Sequence, residues 1–171
     1  VALLRDLKVW DSLPPDAVCP VYDMQVSGDS PASKLEFSAW QQGVAELAFI
    51  VDAGALEQQL AAALRFSPHA HMVDAAVPAA LTAGCEGRDG SWRAGLGVKV
   101  EAHDYGQRAI AARLLADLPH QGVARQWFRQ PDVLALLPFE KPQPGASYGL
   151  VWSLPHARAT ELMAATPEEF E

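Results

Sequence analysis

Glu86, Gly87 and Arg93 combine, within eight residues, the groups that hold a nucleotide. A carboxylate accepts ribose hydroxyls, a glycine lets the backbone approach closely, and a guanidinium pairs with phosphate. They lie in the stretch from Cys85 to Ile110, CEGRDGSWRAGLGVKVEAHDYGQRAI. Its opening turn cluster, Glu86-Gly87-Arg88-Asp89-Gly90, follows the apolar run Ala79–Ala83, which predicts a buried strand carrying the chain into the turn. The same residues are equally readable as an ordinary tight turn. A second set is aromatic: Trp127, Phe128, Phe139, Tyr148 and Trp152 recur across the last apolar runs. They form either sheet core or one wall of an apolar ligand pocket. The five histidines predict no metal site. His69 and His71 are two apart in a loop, and His103, His120 and His156 are scattered, whereas zinc sites are built from three or four ligands with tight local pairs. Ser91 lacks the GxSxG frame of a nucleophile elbow.

The elements that must position these residues can be read from periodicity. Leu3, Leu4, Leu7 and Trp10 repeat at helical spacing, predicting a helix over 1–13 that Pro14-Pro15 stops. Residues 19–27 and the strand carrying Leu35 and Phe37 predict a hairpin turning at Gly28-Asp29-Ser30-Pro31. Ala48–Val51 leads into a helix from about Asp52 to Arg65, striped by Leu56, Leu60 and Leu64. Residues 66–77 read as a loop with a short strand at 71–73. Four apolar runs then follow, 107–115, 122–128, 133–138 and 147–154, joined by turns such as Gln130-Pro131-Asp132 and Lys141-Pro142-Gln143-Pro144-Gly145. Short connections predict antiparallel neighbours, hence one antiparallel sheet covered by a helix within 156–171 or 54–65. Ala157–Ala165 predicts a helix, and Thr166-Pro167-Glu168-Glu169 the capped start of another.

Composition bounds the partners. Of 171 residues 50% are hydrophobic and 20% charged, which fits a globular domain with a core of its own. A net charge of −8 with no basic cluster speaks against nucleic acid. No apolar window has the length of a membrane span, and the first residues carry too many charges for a signal peptide. Cys19 and Cys85, with no CxxC, read as buried free thiols in a reducing compartment.

Cys85-Glu86-Gly87, Arg93 and Leu96-Gly97-Val98, followed by Asp104-Tyr105-Gly106-Gln107-Arg108-Ala109-Ile110, resemble the second nucleotide-binding motif of the FAD-dependent aromatic hydroxylases. Within that group the stretch is similar to the ubiquinone-biosynthesis hydroxylases of the octaprenyl-methoxyphenol hydroxylase type. Glu86 stands where the family has Asp, Gly90 where it has Ser, and Gly54 where it often has Arg. The resemblance implies an α+β chain, a mostly antiparallel sheet with flanking helices like the substrate domain of p-hydroxybenzoate-hydroxylase-like monooxygenases. Residues 1–103 would be a discontinuous part of the nucleotide-binding domain with an inserted hairpin at about 17–40, and 104–171 substrate-domain sheet and helix. FAD and NAD(P)H would bind the parent chain, with Glu86, Gly87 and Arg93 on the cofactor side. Tyr105 and Gln107 would line the junction of the two domains, and Trp127, Phe139 and Trp152 would contact a polyprenyl-phenol-like substrate. A cytoplasmic location, at most peripheral to the inner membrane, goes with that function. No GxGxxG follows a first strand and no late Gly-Asp motif is present. Both ends fall inside helical patterns. The chain is therefore expected to be the central piece of a longer protein, to carry no FAD alone, and to self-associate through stripes its flanking segments would cover.

Two functions remain open on sequence: the substrate-binding part of a flavin-dependent monooxygenase, or a non-enzymatic module holding an apolar ligand or a protein. No residue stands out as a catalytic base.

Overall fold

The computed structural model describes every residue except Arg88, Asp89, Ser91 and Glu171. Among the described residues eight strands form two sheets. β1 (Val18–Val21) and β4 (Ala48–Val51) pair antiparallel as a small ribbon. β2 (Asp23–Ser27), β3 (Lys34–Ser38), β5 (Gln107–Leu115), β6 (Val123–Arg129), β7 (Asp132–Phe139) and β8 (Ser147–Pro155) build a six-stranded sheet in the order β3-β2-β6-β7-β8-β5. β2 runs parallel to β6, and the other neighbours are antiparallel. The class is therefore α+β with a mixed sheet.

The four apolar runs predicted after residue 106 are all strands, and the reason lies in their connections. Gln130-Pro131 turns β6 directly into β7, and residues 140–146 turn β7 into β8. The link from β5 to β6 behaves differently. Residues 116–122 cross the β7–β8 turn, where Ala116 and His120 donate their amides to the carbonyls of Ala146 and Gly145 at 3.0 and 2.8 Å. β5 consequently pairs with β8 and not with its sequence neighbour β6. Gly122 closes this crossing with φ +69°, and a Cβ there would meet the Tyr22 ring at 2.6 Å, so only glycine fits without a shift.

The hairpin expected between residues 19 and 37 is shorter than predicted. β2 and β3 form it, while Cys19 to Val21 pair with β4. The Ala48–Val51 strand and the following helix appear as expected. α3 (Ala53–Arg65) is capped by Asp52, whose Oδ1 accepts the Ala55 amide at 3.0 Å. The helix expected over 1–13 is interrupted: α1 (Ala2–Asp6) ends before Lys8, which adopts φ 58°, and Trp10–Ser12 resume as a 3-10 turn. That break turns Val9 and Leu13 into the core and leaves Leu3 and Leu7 exposed. α2 (Ala39–Gln42) is a single turn.

The strand expected at Ala79–Ala83 does not form, nor does one at 71–73; residues 67–91 carry no regular element among those described. Alanines and prolines bury little area, and no neighbouring strand offers them a ladder, so Leu81 stays 85% exposed. Among the described residues one short helix, α4 (Trp92–Gly95), interrupts the irregular segment before residue 107. At the other end α5 (His156–Ala164) packs on the β5–β8 edge. Ile110, Leu154, Ala159 and Leu162 form its cluster, with Trp152 and Phe170 against it. α6 (Pro167–Phe170) starts at Thr166, whose amide donates to Glu169 Oε2 at 3.0 Å, half of a capping box.

Candidate functional site

Strand register builds an apolar face. Trp127 on β6 pairs with Leu134 on β7, and Leu134 pairs with Trp152 on β8, so the three side chains stand in one row. The next row along the strands contains Arg125, Leu136 and Leu150. Trp127, Leu134, Leu136 and Trp152, with Arg129 and Asp132 at one end, line a groove of about 520 Å³. Asp132 Oδ2 accepts the Trp152 indole N–H at 3.3 Å, which fixes that ring at the groove wall. The apolar walls suit an aromatic ring, and the volume leaves room for substituents beyond it.

Of the aromatic residues expected to contact a ligand, two meet and one does not. Trp127 and Trp152 share the groove. Phe139, five residues beyond Leu134 on β7, points to the opposite face because side chains alternate along a strand. It is buried there beneath the Arg113 guanidinium, 4.4 Å from the ring centroid. Gln107 bridges the sheet edge, donating from Nε2 to the Pro131 carbonyl at 2.8 Å and accepting from Ser153 Oγ at 2.9 Å. Tyr105 is 89% exposed beside it. The two border a separate open depression with Asp104 and His156. Asp104 accepts the Gly106 amide at 2.7 Å and lies 3.4 Å from His156 Nε2. First the amide and then the imidazole hold its carboxyl below the usual range.

The nucleotide-side residues sit on the irregular segment, away from any strand-to-helix turn. Glu86 Oε2 accepts the Trp92 amide at 2.8 Å, so its carboxylate closes its own loop. Gly87 has φ +75°, the left-handed conformation expected of a glycine turn. Arg93 is half-buried in α4. The neighbouring Arg88, Asp89 and Ser91 lie outside the described residues.

One cluster has no counterpart in the sequence pattern. Cys19 from β1, His120 from the β5–β6 crossing and Glu140 after β7 bring ligand atoms within 4.8 Å of one another. The Cys19 thiol donates to Glu140 Oε1 at 3.1 Å, and Glu140 Oε2 accepts the Gly145 amide at 3.2 Å. Burial, then the adjacent Glu140, pushes the thiol up to about 12. His120 is 4% exposed, and its Nδ1 accepts the Gly122 amide at 3.0 Å. That bond places the ring proton on Nε2, which faces Glu140 Oε1 at 3.8 Å without reaching hydrogen-bond distance. A metal would need the Nε2 lone pair and a proton on Nδ1, directly against the Gly122 N–H. The donor set is that of a zinc site, but the tautomer is that of a polar lock. Residues 19, 120 and 140 are too far apart in sequence for any spacing rule to have joined them. Cys85, by contrast, is exposed, against the expectation of a buried thiol.

No protein-family model matches the chain. Among solved structures, a four-substitution variant of P. aeruginosa PqsL superposes with a TM-score of 0.74 at 15% identity, over 95% of this chain and 50% of that one. PqsL in complex with 2-aminobenzoylacetate gives 0.70 at 17% identity, over 96% of this chain and 50% of that one. The chain shares its fold with half of PqsL. It thus spans about half the length of the solved structures it matches. These matches replace the resemblance to the ubiquinone-biosynthesis hydroxylases: both structures, which cover 95% and 96% of this chain, are PqsL. Of the motif that carried the resemblance, Gln107–Ile110 begin β5 and Gly87 takes a turn conformation, but the strand expected before it at Ala79–Ala83 does not form and Glu86 is bound back to the Trp92 amide.

Among the described residues no helix is long and apolar enough to cross a membrane.

Proposed function

We propose that the chain supplies the aromatic-substrate face of a flavin-dependent monooxygenase acting on a small aromatic compound. The observation that carries this is the row Trp127–Leu134–Trp152 and its groove, set in a fold shared with PqsL. PqsL has been seen with 2-aminobenzoylacetate, a benzene ring bearing an amine and a keto-acid arm. In such enzymes the flavin delivers oxygen to the ring, and the protein orients the ring and excludes water. The two indoles would sandwich the ring edge, and Leu134 and Leu136 would form the floor. The six-stranded sheet and residues 104–171 would be the substrate part, with the β2–β3 hairpin counted to the sheet it joins.

The residues present do not fit FAD. Pyrophosphate is held at a helix N-terminus behind a glycine-rich turn. Here the start of α3, the longest helix, is occupied by the Asp52 carboxylate, which would repel phosphate. The Glu86 carboxylate is already engaged with Trp92. On its own the chain should bind FAD no better than millimolar, because a few exposed contacts do not offset the cost of immobilising a ligand. This misfit also favours a second reading, a non-catalytic module that holds an aromatic ligand in the same groove.

Titrating an aminophenyl ketone while following indole N–H resonances tests the groove. Trp127 and Trp152 should shift while Trp40, which lies on the surface, should not. Uniform shifts, or none, would remove the reading. FAD fluorescence titration separates the two functions: micromolar binding would show a flavin site built by other residues.

A further inference from the structure

We infer that Arg125 is an anion subsite of the groove, so that the aromatic ligand carries a negatively charged arm lying about 7 Å along the strand from the ring. This inference rests on the aromatic-groove reading above. Arg125 stands two residues before Trp127 on the same face of β6. Its cross-strand partner is Leu136, which lines the groove and also a second cavity of about 490 Å³. Arg125 lines that second cavity with Leu114, Leu118 and Tyr148. Its side chain is half-buried, and among the described residues it has no hydrogen bond or ion pair. A guanidinium stripped of part of its water by apolar walls, with no counter-ion, is unfavourable until an anion arrives. A carboxylate or phosphonate would meet it fork to fork.

Arg129, two residues the other side of Trp127, does not offer the same site. It is exposed, and its cross-strand partner is Asp132, whose charge offsets its own. Across β2, Arg125 faces the neutral Gln25. The uncompensated positive charge therefore lies not at the Arg129 end of the groove but across Leu136, where the second cavity adjoins it. The Tyr148 hydroxyl is already committed to the Leu118 carbonyl at 3.2 Å, so the guanidinium is the charged donor of this cavity among the described residues, with the neutral Gln121 amide beside it.

The test compares 3-phenylpropionate with its methyl ester, titrated into the chain while the Trp127 indole is followed. The acid should bind roughly tenfold tighter than the ester, a difference typical of one charge-assisted contact. Arg125→Gln should abolish that preference and leave the ester unchanged, whereas Arg129→Gln should preserve it. Arg125→Lys keeps the charge without the fork and should retain part of the preference, which guards against a Gln variant that fails to fold. Equal binding of acid and ester, with both moving Trp127, would overturn the anion subsite and leave the groove standing. Loss of the preference in Arg129→Gln and not in Arg125→Gln would overturn it as well. If neither compound moves Trp127, the groove itself fails.

Discussion

Residues 66–106 and residues 107–155 both contain repeated Val, Leu and Ala, yet one segment is nearly without regular structure and the other is four strands of one sheet. Hydrophobicity does not separate them. Partners do. Each run after residue 106 has a neighbour in the sheet, β6, β7 and β8 through short turns and β5 through the crossing that lays it beside β8, so its amides find a ladder and its alternate side chains a face. The apolar residues of 66–106 are spaced by Gly, Pro and His, have no strand beside them, and leave Leu81 and Tyr105 in solvent.

The sharpest break of this comparison is a pair of truncations. Leu154 is fully buried under α5 with Ile110 and Leu162, so Leu154→Ala should cost about 3 kcal/mol of unfolding free energy. Leu81→Ala should stay within about 0.5 kcal/mol. Urea denaturation of both variants is the measurement. Similar losses would mean that the irregular segment packs in solution in a way its exposure here does not indicate.

That contrast also explains how far the sequence could be read. Strand ends after residue 106 are legible because Pro131 and Pro142 mark turns and the apolar runs have strand length. The Asp52 cap and the α3 stripe are legible because both are local. Pairing is not local. Nothing in Leu115 to Val123 announces that β5 will skip β6, since the decision lies in amide bonds to Gly145 and Ala146. At the site, Trp127 and Trp152 are recognisable as aromatics in strands, but that Phe139 faces away from them is not legible, because strand parity cannot be counted without knowing where β7 begins. The spacing of Arg125, Trp127 and Arg129 in VARQWFR is a signal that could have been used, because alternate residues of a strand share a face.

A smaller effect probes the lock that joins the small ribbon to the sheet. Cys19→Ala removes the donor to Glu140 Oε1 and should cost about 2 kcal/mol. Alkaline pH should act on the same bond. The folded thiol titrates near 12 against 9.0 unperturbed, so its contribution is intact below pH 9 and falls as pH rises toward 12. In Cys19→Ala that part of the alkaline decline should disappear from a thermal-shift series. An unchanged alkaline profile would remove Cys19 from the lock.

Next in size is the joint between α3 and β5. Asp52→Ala loses the cap and the 3.1 Å pair with Arg113, and should cost about 1 kcal/mol. Asp52→Asn keeps a capping oxygen and loses the charge, so it should cost a few tenths, as expected for a pair whose arginine is half-exposed. The Ala55 amide first, then Arg113, lower the Asp52 carboxyl, so this stability is present above the ordinary value of 3.8 and is lost as pH falls through the lower folded value. Chemical denaturation at pH 7 and pH 3 should show the gap between wild type and Asp52→Asn narrowing at the lower pH. A gap of unchanged size would mean the charge is not what the asparagine loses.

The smallest effect lies where the two segments meet. Asp104 ends the irregular stretch and holds the Gly106 amide and His156, the first residue of α5, while Gly106 in turn accepts the His156 amide at 3.2 Å. The site is exposed, so Asp104→Asn should leave the denaturation midpoint unchanged. Its influence should be local. A carboxylate lowered by an amide bond favours that bond while ionised, so the contact is complete above 3.8 and opens as pH falls through the lower folded value. The Gly106 amide resonance should therefore titrate with a midpoint below 3.8, and its hydrogen exchange should quicken in Asp104→Asn while amides of β8 keep their protection. If exchange quickens along β5 and β8 as well, the boundary is not local: the order of the sheet would then depend on how the preceding segment is tied down, and the contrast between the two regions would be a matter of degree.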